Sequence, residues 1–182
     1  TGLLKLGTKA APKVIKEAEV IARGADGMPK YVTDLIEVVK AKGTKDIIEG
    51  FKRSDYSTVH SYKGVDVTED AVGNIKIKSD KSGVATDSYT GKTHEGIYQE
   101  NHIQIDKGEW IKPTKTKKGI KTPDEYVEGT VYPDMDGKMK DFVDGLDEAV
   151  HLDFKKIADE IDTLVIKKTK KASGGVAHLL GE

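Results

Sequence analysis

The chain has no cysteine. Disulfides and thiolate-bound metals are therefore excluded, and the composition suits synthesis in a reducing cytoplasm. Aromatic residues are scarce at 6%, with Trp110 the single tryptophan, and hydrophobic residues reach only 36% against 34% charged, so the core must be modest. Net charge is −1, and no global field draws the chain towards nucleic acid or acidic lipid. No apolar run approaches the ~20 residues that span a bilayer. Leu3-Leu4 is followed at once by Lys5, too broken for the apolar region of a secretory signal. No clear internal repeat is evident. The length of 182 residues corresponds to one domain, or one domain with an extension.

What is present reads as an α+β protein in four stretches. Residues 1–55 read as helical. Pro12 opens a first helix with Val14, Ile15, Ala18, Ile21 and Ala22 at helical spacing, and Gly24 stops it. Pro29 opens a second, with Val32, Leu35, Ile36 and Val39 on one stripe and Gly43 at its end. Thr44 caps a short third, "TKDIIEGF". Residues 56–132 read as a small antiparallel sheet with long loops: Ile75 and Ile77 alternate with lysines, Ile103 and Ile105 do the same, Gly73-Asn74 signals a turn, and residues 81–96, "KSGVATDSYTGKTHEG", are a long polar connection. Residues 133–171 read as one long helix from about 137 to 170, with Asp136 as N-cap. Its stripe, Met139, Phe142, Leu146, Val150, Ile157, Ile161 and Leu164, is too long for the modest core and is expected to be a contact surface with neighbouring subunits. Gly145 is expected to weaken that helix by about 1 kcal/mol without breaking it. Residues 172–182 form a flexible tail.

Motifs for chemistry are few. The histidines, His60, His94, His102, His151 and His178, share no metal-ligand spacing. "GKTHE" at 91–95 lacks the upstream glycine of a phosphate loop, since Thr86 stands in its place. "PDMDGKMKD" at 133–141 fails as a calcium loop, because Tyr132 and Val143 fall at ligand positions. The Gly-x-Ser-x-Gly nucleophile pattern is absent. No catalytic residue, cofactor or metal is expected. Lys107, Lys112, Lys115, Lys117, Lys118 and Lys121 surround Trp110, a pattern that suits phosphate contacts with base stacking, or the acidic face of a neighbouring protein.

The end of the chain, Leu180-Gly181-Glu182, resembles the Leu-x-Glu recognition tripeptide of the prohead proteases of tailed phages. Ile15-Lys-Glu17, Leu35-Ile-Glu37, Ile47-Ile-Glu49 and Leu146-Asp-Glu148 also fit, but each falls in an expected helix, where the extended strand a protease needs is unavailable. The tail "ASGGVAHLLGE", with "DMDGKMKDF" before it, is similar to segments of uncharacterised virion-associated proteins of marine tailed bacteriophages. That resemblance covers about residue 45 to the C-terminus and supplies no fold and no activity. It implies a virion protein, made in the host cytoplasm and cut from a precursor by a prohead-type protease. Thr1 and Glu182 are then expected to be ends made by cleavage after glutamate.

Two functions follow as expectations. The first is a non-enzymatic structural component of a phage particle, held by other virion proteins or copies of itself. The alternative is a cellular binding module, for nucleic acid through residues 107–121. No membrane partner is expected.

Overall fold

The computed structural model describes residues 22–162 and residue 164. The helix expected from Pro12 and the Leu180-Gly181-Glu182 signal lie outside the described residues, as does the end of the expected long helix.

The second expected helix is present as α1, Tyr31–Lys42. Tyr31, Val32, Leu35, Val38 and Val39 are its buried stripe, while Lys40 and Lys42 occupy the last turn, where they favour the negative end of the helix dipole. Gly43 ends it. Its N–H donates to the Val39 carbonyl at 2.8 Å, and a Cβ there would lie 2.5 Å from that oxygen and 2.8 Å from the Ser61 carbonyl. Only glycine fits so close to two backbones.

The α+β expectation of N-terminal helices and a long C-terminal helix around a small sheet is overturned. A seven-stranded antiparallel sheet dominates, in the order β1-β2-β3-β4-β5-β8-β9. The expected third helix is strand β1, Thr44–Ile48, paired with β2, Ser57–Tyr62. Thr44, Ile47 and Ile48 are β-branched, and pairing with β2 outweighs the capping potential of Thr44. Lys63 and Gly64, both at positive φ, turn the chain into β3, Val65–Asp70. Two long strands follow, β4 at Ile75–Thr86 and β5 at Thr93–Asp106. Val67, Ile77 and Ile103 lie side by side across the ladders, and so do Ile75 and Ile105. All are buried, together with Val65, on one face of the sheet. The alternation at Ile75/Ile77 and Ile103/Ile105 thus corresponds to real half-buried strands. After β5 the chain makes a small hairpin of β6, Trp110–Ile111, with β7, Ile120–Lys121, and returns as β8, Glu125–Val131, beside β5.

The long helix is the second correction. Residues 133–147 form a turn and the short strand β9, Val143–Asp144, and only then does α2 begin, at Glu148–Ala158. Gly137 and Gly145 sit at φ of 79° and 75°, in the left-handed region, so the chain is broken at both. The N-cap is Asp147, whose side chain accepts from the Val150 N–H at 2.9 Å, and not Asp136. The expected stripe is therefore dispersed. Val150 and Ile157 are buried in α2, Ile161 and Leu164 are half-buried beyond it, Leu146 is half-buried before it, Met139 bridges to Pro133, and Phe142 is exposed beside β9.

Three hairpin loops share one device. Asp70, Asp87 and Asp134 each open a loop, accept N–H groups from the residues that follow, and are answered by Gly73, Gly91 and Gly137 at positive φ. Residues 22–30 and 132–140 go further and share a hydrogen-bond scheme: Gly24 and Asp134 donate to Met28 and Lys138, Gly27 and Gly137 donate back to Gly24 and Asp134, and Lys30 and Lys140 donate to Ala22 and Tyr132. A nine-residue loop built on Asp-Gly thus recurs in a chain whose sequence shows no evident repeat.

The chain divides into two compact units, Ile36–Leu146, and the residues before it with Asp147 onward. In the latter, a buried hydrogen bond of 2.6 Å joins the Tyr31 hydroxyl and His151 Nδ1, and Val150, Phe154, Ile157 and Ala158 are buried on α2.

Candidate interaction surface

The face of the sheet opposite the buried isoleucines carries a charge network. Across β4 and β5, Lys78 stands opposite His102 and Asp80 opposite Glu100. Glu100 takes the Lys78 ammonium at 3.3 Å and the His102 Nε2 at 3.1 Å, and Lys78 also reaches Asp80 at 3.6 Å. Partial burial works against the Glu100 charge, but the hydrogen bonds from His102 and Lys78 outweigh it and hold the carboxyl below its usual range. Burial likewise opposes the Lys78 charge, and Glu100 and Asp80 outweigh it, raising the ammonium. Phe142 stands edge-on to the His102 ring at 4.9 Å between centroids, over a hollow of about 320 Å³ that Thr68, Lys76 and Gln104 also line. Glycine at 129, directly opposite His102, makes the room for that ring.

The network has a pH signature. Glu100 contributes stability that is fully present above the ordinary glutamate pKa of ~4.3 and is lost as pH falls through its depressed value. Lys78 contributes stability that is present below the ordinary lysine pKa of ~10.4 and is lost as pH rises through its raised value. Glu100→Gln should cost about 1 kcal/mol at neutral pH, and the deficit should shrink towards zero on acidification. Urea midpoints of both proteins from pH 7 down to pH 3 check this. A deficit constant across that range would show that the charge contributes nothing.

Beyond Lys81 the β4–β5 ladder slips by one residue, with Lys81 opposite Gln99 and Ser82 opposite Ile97, so Tyr98 is the extra residue of a bulge. Its ring lies over Gly83, where a Cβ would come within 3.2 Å. From the bulge outwards the hairpin is an arm. Residues 84–98 are exposed, among them Val84, Ile97 and Tyr98, and Tyr89 at the tip is 99% exposed. β8 pairs with β5 only from Glu100 to Asp106, so the backbone edge of residues 93–99 has no neighbouring strand among the described residues. A groove of about 590 Å³ runs along that edge between the arm and residues 133–137, with Met135 fully exposed on its rim.

The lysine-rich segment is the β6–β7 hairpin and its approaches. Lys107 is engaged with Asp124 at 3.0 Å. The Gly108 N–H and Lys107 hold the Asp124 carboxyl below its usual range. Lys112, Lys115, Lys117 and Lys118 are exposed in the loop, and Lys121 faces Trp110 across the two-stranded ladder. Trp110 packs its ring against Gly119, where a Cβ would come within 2.5 Å of it, and is 62% exposed, beside exposed Ile111 and Ile120. No carboxylate occurs between Trp110 and Pro123. The structure therefore gathers Trp110 and the lysines into one projecting hairpin.

Among the described residues no cluster of three or more His, Asp or Glu side chains could hold a metal, and no described helix is long and apolar enough to cross a membrane. The arm was not anticipated from sequence, where residues 81–96 read as a polar connection. The signal available was Val84 and Tyr89 within that polar run and Ile97-Tyr98 directly after it. No protein family, curated protein or solved structure matches the chain.

Proposed function

We propose that the chain is a non-enzymatic building block of a larger, symmetric particle, held in place by its neighbours. The phage-like tail of the sequence makes a virion the particle in view. The observation that carries this reading is the arm of residues 82–98, a strand pair bearing Val84, Tyr89, Ile97 and Tyr98 in the open, along an edge with no neighbouring strand among the described residues. An isolated two-stranded arm of this kind has no core of its own and gains order from contacts with a partner. The apolar residues of α2 are used inside the chain, so the contact role expected for that helix passes to the arm. The lysine hairpin is a second contact, facing acidic groups of neighbouring subunits. Its exposed Trp110 among exposed lysines, with no carboxylate between Trp110 and Pro123, favours nucleic acid as the alternative ligand.

Sedimentation of the full chain over a concentration series tests the reading, together with hydrogen exchange over residues 82–98. Association with copies of itself or with virion partners, accompanied by slower exchange in the arm, is the expected result. A lone monomer under all conditions, with the arm already protected, overturns it.

A further inference from the structure

Two sheet edges of the Ile36–Leu146 unit, each without a neighbouring strand among the described residues, fit one another. One is β1, at the end of the strand order, whose five residues are all exposed, Ile47 and Ile48 among them. The other is the arm edge of β5 from Thr93 to Gln99. In an antiparallel ladder, alternate residues turn their N–H and C=O groups to one side, so two edges join only where their outward residues coincide.

On the arm the phase is set at the tip. The Asp87 N–H donates to the Lys92 carbonyl at 2.8 Å, which makes these two a hydrogen-bonded pair. Alternation along the register makes Ala85–His94 and Gly83–Gly96 hydrogen-bonded pairs as well, and leaves the backbone groups of Thr93, Glu95 and Ile97 facing away from β4. On β1 the Ile47 N–H takes the Asp46 carboxylate at 2.8 Å. That N–H is on the side away from β2, so Lys45 and Ile47 are the outward residues. The incoming strand would replace the Asp46 bond.

One antiparallel register satisfies both phases and the charges together. Setting Lys45 opposite Glu95 and Ile47 opposite Thr93 gives hydrogen-bonded pairs, and it brings Asp46 opposite His94 in the intervening pair. Lys45 then meets an opposite charge and Asp46 a ring that can donate a hydrogen bond, and Thr44 falls opposite Gly96, where no side chain obstructs it. The incoming strand runs in the same direction as β8 and continues the ladder past the point where β8 leaves it, in the groove beside residues 133–137.

We infer that β1 of a second copy of this chain pairs antiparallel with the β5 arm edge, joining copies head to tail through Lys45–Glu95 and Asp46–His94. This rests on the proposed role as an assembly subunit and names its partner. Because the two surfaces differ, the contact repeats: it closes a ring if the rotation between copies permits and otherwise propagates.

The absence of cysteine makes a direct test clean. Pairs that are not hydrogen-bonded bring Cα atoms to about 4.5 Å, within disulfide reach. Full-length Asp46→Cys mixed with full-length His94→Cys should form disulfide-linked heterodimers under mild oxidation, well above the yield of Asp46→Cys with Tyr89→Cys at the arm tip. In parallel, Lys45→Glu and Glu95→Lys should each weaken self-association about tenfold by sedimentation, since like charges then face one another, and mixing the two variants should restore it. Equal cross-linking of both cysteine pairs, or no rescue on mixing in a chain that still self-associates, overturns this interface and leaves the assembly role standing. A wild-type chain that stays monomeric at every concentration overturns both.

Discussion

Phe154→Ala should remove about 3–5 kcal/mol of stability, the largest loss expected from any single truncation in α2. Phe154 is 2% exposed and is the bulkiest fully buried side chain among the described residues. Its helix is short, Glu148–Ala158, and is held by its Asp147 cap and the stripe Val150, Phe154 and Ile157. A helix of this length is marginal alone, so its order depends on burying that stripe. Chemical denaturation followed by far-ultraviolet circular dichroism reads the effect. A loss under about 1 kcal/mol would mean that the ring contributes little to the fold.

Gly129→Ala is the second. The added Cβ would come within 2.6 Å of a Phe142 ring carbon and 2.9 Å of the Val143 carbonyl oxygen. The ring can rotate aside, but the carbonyl belongs to β9, which pairs with β8 at Gly129 itself. Relieving the clash therefore means pulling β9 from the sheet edge and lifting Phe142 off His102. We expect a cost of about 1–3 kcal/mol and a change in the His102 ring resonances, because the edge-on aromatic neighbour is displaced. An alanine variant with unaltered stability and unaltered His102 resonances would show that Phe142 is not seated there.

The parts legible in the sequence were those whose residues decide locally. α1 was legible because Val32, Leu35 and Val39 keep helical spacing between a proline and a glycine. The strands around Ile77 and Ile103 were legible because one face is buried and the other carries charge. β1 was not, since "TKDII" has neither period and is a strand only because β2 is beside it. The long helix failed for a different reason. Met139, Phe142 and Leu146 fall at helical intervals, yet Gly137 and Gly145 adopt left-handed backbone, which spacing alone does not reveal. The candidate interaction surface was half legible. The lysines around Trp110 were read as a unit, and the structure places them on one hairpin. The arm was invisible because its edge is a property of pairing: β8 stops at Val131 while β5 continues outward, and no residue of β5 announces that.

The strand order has a kinetic meaning. From β1 to β5 every strand lies beside the one made just before it, and β8 departs from that pattern only by the excursion through the small hairpin. Each new pairing therefore closes a short loop, at little entropic cost. Sheets dominated by distant pairings fold slowly because that cost precedes the reward. Here the meander can grow in the direction of translation, each hairpin docking on the last as it leaves the ribosome. The arm, whose two strands are sequence neighbours joined by the Asp87 turn, is complete before β8 exists. Its open edge is thus available for pairing from the first moment the chain is folded. On the proposed head-to-tail pairing, the arm of a nascent chain can take β1 of a neighbour before its own β8 is made.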